Sequence, residues 1–335
     1  MKGSNNTRMQ TSSETKGSRN RGYTFAFLAT LCFSTTAIFM RHLLSNYQLP
    51  PMVTAFWRDM LAAIALVIPL LLFKPNLLKV DRNNLFYLIG YGLVFALFNI
   101  IWTFAMVYNN SSVATVLLFS SAPFTAILGW WLLHETLGLP KIIAILLAMV
   151  GCTLVSLTGA DVTFHWTGFL IGIGAGLFYA FYSLLGSMAA KRNLNPWTTT
   201  FYILLFASFF LLIFNLLPIS FLTGQARSLA GLFVMGRNLS GWFWMSMLSI
   251  VSTIGGFGFY NNSLVYLPSS VAKMFLTSVP VLTSILAYLF FREILSPIQI
   301  LGGLLVVGGL VLLRVSEDWH RRSEQKNKNS ATHPE

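Results

Sequence analysis

Long apolar runs separated by short polar segments are the feature of this sequence that most limits its fold. Spanning the hydrocarbon core of a bilayer takes about 20 mostly apolar residues as an α-helix, because a helix satisfies its own backbone hydrogen bonds where water cannot. Such runs lie at about residues 23–43, 53–73, 85–107, 113–133, 140–158, 167–190, 198–218, 242–265, 271–291 and 297–314. The pattern predicts an all-α integral membrane protein with ten transmembrane helices.

The composition agrees with a location in a lipid bilayer. Hydrophobic residues make up 55% of the 335 residues and charged residues only 10%, which is more apolar surface than one water-soluble globule of this size can bury. The two cysteines, Cys32 and Cys152, lie inside apolar runs. The sequence therefore indicates neither a disulfide framework nor a metal cluster, and we expect no cofactor.

The formal net charge of +12 is explained by membrane topology rather than by nucleic-acid binding. Most Lys and Arg residues lie in tails and short loops, with no basic helix or interleaved aromatic patch for a nucleic acid. Because positive residues near short loops favour the cytoplasmic side, both termini are expected in the cytoplasm, with the loop at about 219–241 as the main exception. The polar stretches 1–22 and 316–335 are predicted to be disordered cytoplasmic tails.

The second half of the chain repeats the first. The matches are Glu135 with Glu293, Gly151 with Gly309 and 111–114 (SSVA) with 269–272 at an offset of 158 residues, and Pro50 with Pro196 at 146. Each half, 23–158 and 167–315, is predicted to hold five helices, and an odd number makes the second copy enter the membrane from the opposite side. The sequence predicts two inverted five-helix repeats, which in transporters exchange conformations around a midplane site to give alternating access.

These paired segments resemble the drug/metabolite transporter superfamily and, within it, the EamA-type ten-helix transporters. The resemblance rests on SAPFTAILGWWLLHETLGLPKIIAILLAMVGCTLV and SVPVLTSILAYLFFREILSPIQILGGLLVVGGLVLL, and on FWRDMLAA at 56–63. It covers about residues 23–315. It implies a carrier of amino acids, other metabolites, nucleotide-linked compounds or drugs, mostly outward across the bacterial inner membrane, and it does not specify the substrate.

Two cationic residues inside apolar runs are candidates for binding a substrate, because ionisable groups within a span are costly. Arg58 could hold a carboxylate or phosphate, or it could pair within the protein. Adjacent residues point about 100° apart on a helix, so Arg58 and Asp59 are not expected to face each other, and Arg41 is the expected partner of Asp59. Lys273 matches Thr115 in the first repeat. It is either a second anion-binding group or a lysine that snorkels to the interface.

Aromatic and amide residues complete the candidate lining of a central site. Asn99 and Trp102 lie at i and i+3 on one helix face, as do Tyr179 and Tyr182. The remaining candidates are Tyr260 and Trp57. Aromatic residues in a bilayer often face lipid or form interfacial belts, but polar or small neighbours favour an interior position for these. Such a lining suits an amphipathic small molecule, such as an amino acid or an aromatic metabolite.

Other residues are expected to have structural or gating roles. Glu135 and Glu293 occupy helix ends, where capping or ion pairing is favoured over proton coupling. Apart from Asp59 no carboxylate lies within a predicted span, so facilitated diffusion, exchange and indirect coupling all stay open. The remaining members of this set are the prolines of the fourth and ninth helices and two glycines of a small-residue ladder, namely Pro123, Pro280, Gly172 and Gly176.

The function that these features favour is secondary transport, by alternating access, of a small metabolite such as an amino acid or related organic anion, with export as the expected direction. The expected partners are the small-molecule substrate and the lipid bilayer. A membrane-embedded enzyme is the alternative that would need clustered His, Asp or Glu in the spans, and the five histidines lie at helix ends, loops or tails. A receptor or scaffold would be expected to carry a sizeable soluble domain. The oligomeric state is left open, with a homodimer among the states allowed.

Overall fold

Helices make up the protein. The computed structural model describes residues 3–108, 114, 117–157, 166–217, 224–291 and 296–331, and over these no strand occurs. The helices are α1 Gly3–Ser34, α2 Thr36–Tyr47, α3 Pro51–Phe73, α4 Arg82–Tyr108, α5 Ser121–Leu133, α6 Leu139–Leu157, α7 Trp166–Lys191, α8 Pro196–Leu216, α9 Leu239–Met247, α10 Gly256–Tyr266, α11 Ser269–Leu276, α12 Val279–Phe291 and α13 Pro297–Ala331. A π-helical segment, Leu248–Gly255, joins α9 to α10.

Within the described residues, seven helical segments are long and apolar enough to cross a membrane, which makes this a multi-pass membrane protein. They are Ser18–Met40, Pro51–Phe73, Arg82–Ala105, Trp166–Lys191, Pro196–Leu216, Leu239–Tyr266 and Ser269–Leu286. Three shorter apolar helices, Leu117–Leu133, Leu139–Val155 and Pro297–Leu313, occupy the other three predicted positions. Each of these is about 25 Å long at 1.5 Å per residue, near the lower limit for a span. The count of ten stays a prediction.

The structure differs from the sequence-based expectation in the two tails. Residues 3–22 continue α1 and residues 316–331 continue α13 as helix, where the sequence predicts disorder. Propagating an existing helix adds one backbone hydrogen bond for each residue that is ordered, so a helix formed in the bilayer extends readily beyond it.

The helices of two predicted spans are broken at matching places in the two repeats. In the first repeat the helical segment that begins at Leu117 is interrupted at Ser120 before α5, and in the second α11 ends before Thr277 and Ser278. Ser120 and Ser278 are related by the offset of 158. Pro123 and Pro280 lie in the first turn of the helix that follows each break. Backbone N–H groups of a first turn have no partner within the helix, so proline loses no hydrogen bond there, and its ring prevents the preceding helix from continuing.

Helix α7 approaches the first of these breaks closely through its glycines. A Cβ atom at Gly172 would collide with the Leu117 side chain, and one at Gly176 would collide with Ser120 Oγ and lie 3.1 Å from Leu117 O. The spacing of four residues places both glycines on one face of α7. The close helix contact that this small-residue ladder predicts is therefore present.

The last helices of the two repeats make a reciprocal contact. A Cβ atom at Gly302 would lie 2.6 Å from Gly151 O, and one at Gly309 would lie 2.8 Å from Ala144 O. At the offset of 158, Gly151 corresponds to Gly309 and Ala144 to Gly302, so each contact is the symmetry equivalent of the other. Because the higher-numbered residue of α6 faces the lower-numbered residue of α13, the helices run antiparallel, as an inverted repeat requires.

Gly309→Ala is expected to lower the melting temperature of the detergent-solubilised protein, because the new Cβ displaces the Ala144 backbone from this contact. Overpacking of this kind costs about 1–3 kcal/mol. Gly308→Ala is the matched control, since a Cβ at Gly308 meets nothing within 4 Å. Thermal unfolding of both variants, followed by intrinsic fluorescence, measures the difference. Equal melting temperatures for the two variants would contradict the close α6–α13 packing.

Candidate substrate site

A three-residue polar network lies inside the bundle between α3 and α4. Arg58 Nε donates to Asp59 Oδ1 at 3.0 Å, Arg58 Nη2 donates to Asn99 Oδ1 at 2.7 Å, and Asn99 Nδ2 donates to Asp59 Oδ2 at 2.8 Å. Asp59 is fully buried, and 16% of the Arg58 side chain is exposed. Each of the three side chains is hydrogen-bonded to the other two. A buried charge pair is tolerated away from water when its polar atoms are bonded in this way.

The pairing of Arg58 with Asp59 corrects the expectation from helix geometry. The two Cβ vectors do diverge, but the long Arg58 side chain turns back along α3 and brings Nε to its neighbour. Asn99 of α4 bonds Arg58 Nη2 and Asp59 Oδ2 and so completes the network. The geometry of α3 alone does not include this contribution from a second helix. The side chain of Arg41, the expected partner of Asp59, lies outside the described residues.

Lys273 is buried beside two tyrosine rings in the second repeat. Its Nζ lies 2.7 Å from the centroid of the Tyr179 ring and 5.7 Å from that of Tyr260, and only 1% of the residue is exposed. Lys273 Nζ donates a hydrogen bond to Tyr179 O at 3.5 Å. No carboxylate of the described residues lies within salt-bridge distance of Nζ. Lysine therefore does not snorkel here but places its ammonium against aromatic faces, which attract cations.

Aromatic contacts connect the Lys273 region with the polar network. The ring of Phe98, next to Asn99 in α4, stacks on Tyr179 with centroids 4.7 Å apart. The Arg58 guanidinium is close enough to Tyr179 for electrostatic interaction. Tyr182 stacks on Tyr260 at 6.2 Å. These contacts place six of the eight predicted substrate-binding residues in one interior region, namely Arg58, Asn99, Tyr179, Tyr182, Tyr260 and Lys273.

Two tyrosine hydroxyls in this region differ in their partners. The Tyr182 hydroxyl donates to Asn261 Oδ1 at 3.2 Å, and Asn261 in turn donates to Thr200. The Tyr260 hydroxyl is fully buried and makes no hydrogen bond within the part of the chain that the structure describes. A buried polar atom without a partner is costly unless a water or ligand supplies one.

Trp57 and Trp102, the two tryptophans that were predicted to line the site, have different surroundings from the tyrosines. Trp57 Nε1 donates to Leu232 O at 2.7 Å, and its ring packs edge-on against Trp242 with centroids 4.8 Å apart. Trp57 therefore packs against α9 and the segment that precedes it. Trp102 is half-buried and packs on the main hydrophobic core.

Glu135 connects the two repeats at one end of the bundle. Its carboxylate accepts from Ser269 N at 2.7 Å and Ser269 Oγ at 2.6 Å, and from the backbone and hydroxyl of Ser270. Lys141 Nζ lies 3.7 Å from the same carboxylate. Glu135 thus caps the N-terminus of α11 and pairs with Lys141, and its structural role stays a prediction. Glu293, the sequence match of Glu135, lies outside the described residues, as do Ser111 and Ser112, the matches of Ser269 and Ser270.

Two interior residues that the sequence reasoning missed are Thr30 and Ser34 of α1. Thr30 Oγ1 donates at 3.2 Å to Phe275 O, a carbonyl at the α11–α12 break, and Ser34 O accepts from Thr283 Oγ1 at 3.2 Å. The offset of 146 that relates Pro50 to Pro196 also relates Thr30 to Gly176. Applying that offset to Gly176 of the glycine ladder would have found Thr30.

The described residues contain no group of three or more His, Cys, Asp or Glu side chains placed to hold a metal ion. The interior region instead offers one charge pair, one further cation and several aromatic faces. An inverted helical bundle of this kind, with broken helices beside buried charges, has the architecture of a membrane transporter.

The chain belongs to the EamA-like transporter family, whose model matches residues 20–157 and 166–315. It is 25% identical over 208 residues to an uncharacterized transporter of Archaeoglobus fulgidus, covering 62% of this chain and 69% of that one. The uncharacterized transporter YyaM of Bacillus subtilis is 24% identical, with 78% and 83% covered. A solved crystal structure shares the fold with a TM-score of 0.69 at 17% identity, covering 88% of this chain and 97% of that chain. The protein is therefore a membrane transporter of small molecules.

Asp59→Asn is expected to destabilise the folded protein, because it leaves the Arg58 charge without its counter-ion. Removing one partner of a buried pair costs about 3–5 kcal/mol. The double variant Arg58→Gln/Asp59→Asn, which removes both charges, should recover part of that loss. Thermal unfolding in detergent measures both. A melting temperature for Asp59→Asn equal to that of the parent would contradict the described network.

Proposed function

We propose that this protein is a secondary transporter that exports a small organic anion, such as an amino acid or related metabolite, by alternating access. The proposal includes ten transmembrane helices in two inverted repeats, residence in the inner membrane, and both termini in the cytoplasm. The observation that carries it is Lys273, a buried ammonium against two tyrosine rings with no carboxylate of the described residues in reach.

Charge accounting favours an anionic substrate. Lys273 is only 1% exposed, and taking an ammonium out of water costs several kcal/mol. A desolvated cation–π contact returns about 2 kcal/mol, which leaves the ammonium short of compensation. Arg58 is already neutralised by Asp59. One negative group of a substrate is therefore what the region as described lacks.

The same surroundings favour a substrate with a flat or apolar body. The faces of Tyr179 and Tyr260 flank Lys273, and the Tyr260 hydroxyl is available as a hydrogen-bond donor. Tyrosine supplies contact area and one polar atom at once. Arg58 then acts mainly by fixing α3 against α4, and Lys273 replaces it as the principal polar anchor for the substrate.

Alternating access is supported by the helix breaks and by the reciprocal contact. Discontinuous helices in corresponding positions of two inverted repeats mark the site in many transporters, because each break frees backbone groups and allows the flanking pieces to move separately. Here the breaks at Ser120 and at Thr277–Ser278 occupy such positions. The antiparallel contact of α6 with α13 relates the halves around one axis.

Fusing green fluorescent protein to the carboxyl end, or to the amino end, is expected to give fluorescent cells in both cases. Fluorescence at both ends follows from an even number of spans with cytoplasmic termini. Alkaline phosphatase inserted within 224–237 should be active because that loop is expected on the outer side. An inactive phosphatase there, or a dark fusion at one end only, would contradict the ten-helix topology.

Lys273→Met is expected to abolish export without destabilising the protein, because it removes an uncompensated buried charge and keeps the volume. The measurement compares metabolites inside and outside cells that lack the protein, express it, or express a variant at matched membrane levels. Lys191→Met is the matched control, since Lys191 is exposed and donates a 3.4 Å hydrogen bond to Leu133 O.

The expected result is one class of anionic compound outside cells that carry the parent or Lys191→Met, and its absence with Lys273→Met. The melting temperature of Lys273→Met should equal or exceed that of the parent. Export at the parental rate by Lys273→Met would overturn the assignment of the site. Movement of cationic or neutral compounds alone would overturn the substrate class.

A further inference from the structure

The contact between Glu135 and the N-terminus of α11 joins two parts of the chain that alternating access would move relative to each other. Glu135 belongs to the first repeat, while Ser269 and Ser270 belong to the second. Both serines are buried, and they give the carboxylate backbone and hydroxyl donors. We call this set of contacts the Glu135 clamp.

Helix α11 is a separate short piece that carries the proposed anion-binding group. It has eight residues, Ser269–Leu276, with extended backbone at Leu267 before it and the break at Thr277 after it. Lys273 is one helical turn from Ser269, about 6 Å along the axis. Holding the first residue of such a short helix also fixes where its lysine points.

The clamp lies beside a surface cavity, from which water can reach the carboxylate when the clamp opens. About 10% of the Glu135 side chain is exposed, and the carboxylate borders a surface cavity of ≈ 440 Å³ lined by residues 130 and 134–138. A hydrogen bond to a charged group contributes about 1.5–3 kcal/mol net, and water from the cavity can replace part of the bonds that the carboxylate loses on opening. Asp59 of the Arg58–Asp59 pair, in contrast, is fully buried, and leaving such a charge without its partner costs about 3–5 kcal/mol.

Gly129 indicates that the clamp is built closely against α5. A Cβ atom there would lie 3.0 Å from Glu135 Oε2 and 3.3 Å from Ser269 Oγ. Glu135 is directed to this place by the end of α5, where His134 has a left-handed backbone (φ 56°) and Glu135 N donates to Gly129 O at 3.0 Å. Gly129 therefore contributes to both structures: its carbonyl ends α5, and its lack of a side chain leaves room for the clamp.

We propose that the Glu135 clamp is the contact that closes the two repeats at this end of the bundle, and that it parts in each transport cycle to open the way to Lys273. Glu135 is a positioning residue, acting on Lys273 through α11. The proposal rests on the transport function proposed above. It identifies the Glu135 clamp as the contact that separates the Lys273 site from the surface.

The first test needs no substrate. Ser183→Cys, in a Cys32→Ala/Cys152→Ala background, puts a thiol in the buried turn after Tyr179, and a membrane-impermeant thiol reagent is applied to vesicles from each face. Adding Ser269→Ala/Ser270→Ala should raise the labelling rate about tenfold from the Glu135 face alone, equivalent to ~1.4 kcal/mol. Adding Ser296→Ala, which removes the hydroxyl that caps Gln299 N at 3.2 Å in α13, is the control and should leave the rate unchanged.

Labelling that is unaffected by the serine changes would overturn the clamp as a gate. An equal rise from both faces, or a fall in melting temperature larger than that of Ser296→Ala, would also overturn it, because either result indicates general loosening. These readouts do not depend on export. A clamp that gates labelling in a protein that moves no compound would refute the proposed function and leave the gate standing.

A second test uses transport. Glu135→Cys and Ser269→Cys in the same cysteine-free background are bridged with a short bifunctional thiosulfonate reagent that a reductant removes. Bridging should stop export of the compound identified with the parent, and reduction should restore the rate of the unbridged double variant. If the bridged protein exports as fast as the reduced one, the clamp does not part during transport and the proposal fails. Reagent-treated single-cysteine variants control for modification alone.

Discussion

The absence of water in the hydrocarbon core is the constraint on which the rest of this structure depends. Every backbone carbonyl freed by a helix break must find a donor in the protein. At the α11–α12 break Phe275 O accepts from Thr30, and at the α1–α2 break Ser34 O accepts from Thr283. Each broken helix is thereby held by a helix of the other repeat. The irregular backbone that a substrate site needs is possible only because the neighbouring span supplies hydroxyls.

The features that the sequence could predict are those marked by a regular residue spacing or by the internal repeat. Apolar runs predict helices, the offset of 158 predicts an inverted pair, and Gly172 with Gly176 predicts a close helix contact. Pro123 and Pro280 predict where two spans break. All of these depend on backbone geometry and residue size, which local sequence largely determines.

The parts that sequence reasoning missed depend on the reach of long side chains across helices. Arg58 was expected to point away from Asp59, yet its side chain bends back and Asn99 closes the network. Trp57 was expected beside the tyrosines, yet a backbone carbonyl of a distant segment takes its N–H. Lys273 could be read as snorkelling until the structure placed Tyr179 over its ammonium. A single helix does not contain the information that decides such contacts.

The reciprocal contact of α6 with α13 has a consequence for how the two halves recognise each other. Gly151 faces Gly302 while Ala144 faces Gly309, so the same surface is used twice across a two-fold axis. This is the form of an isologous interface between two identical subunits, enclosed within one polypeptide. Each half therefore carries a self-complementary surface, and the linker between the halves does not have to specify their orientation.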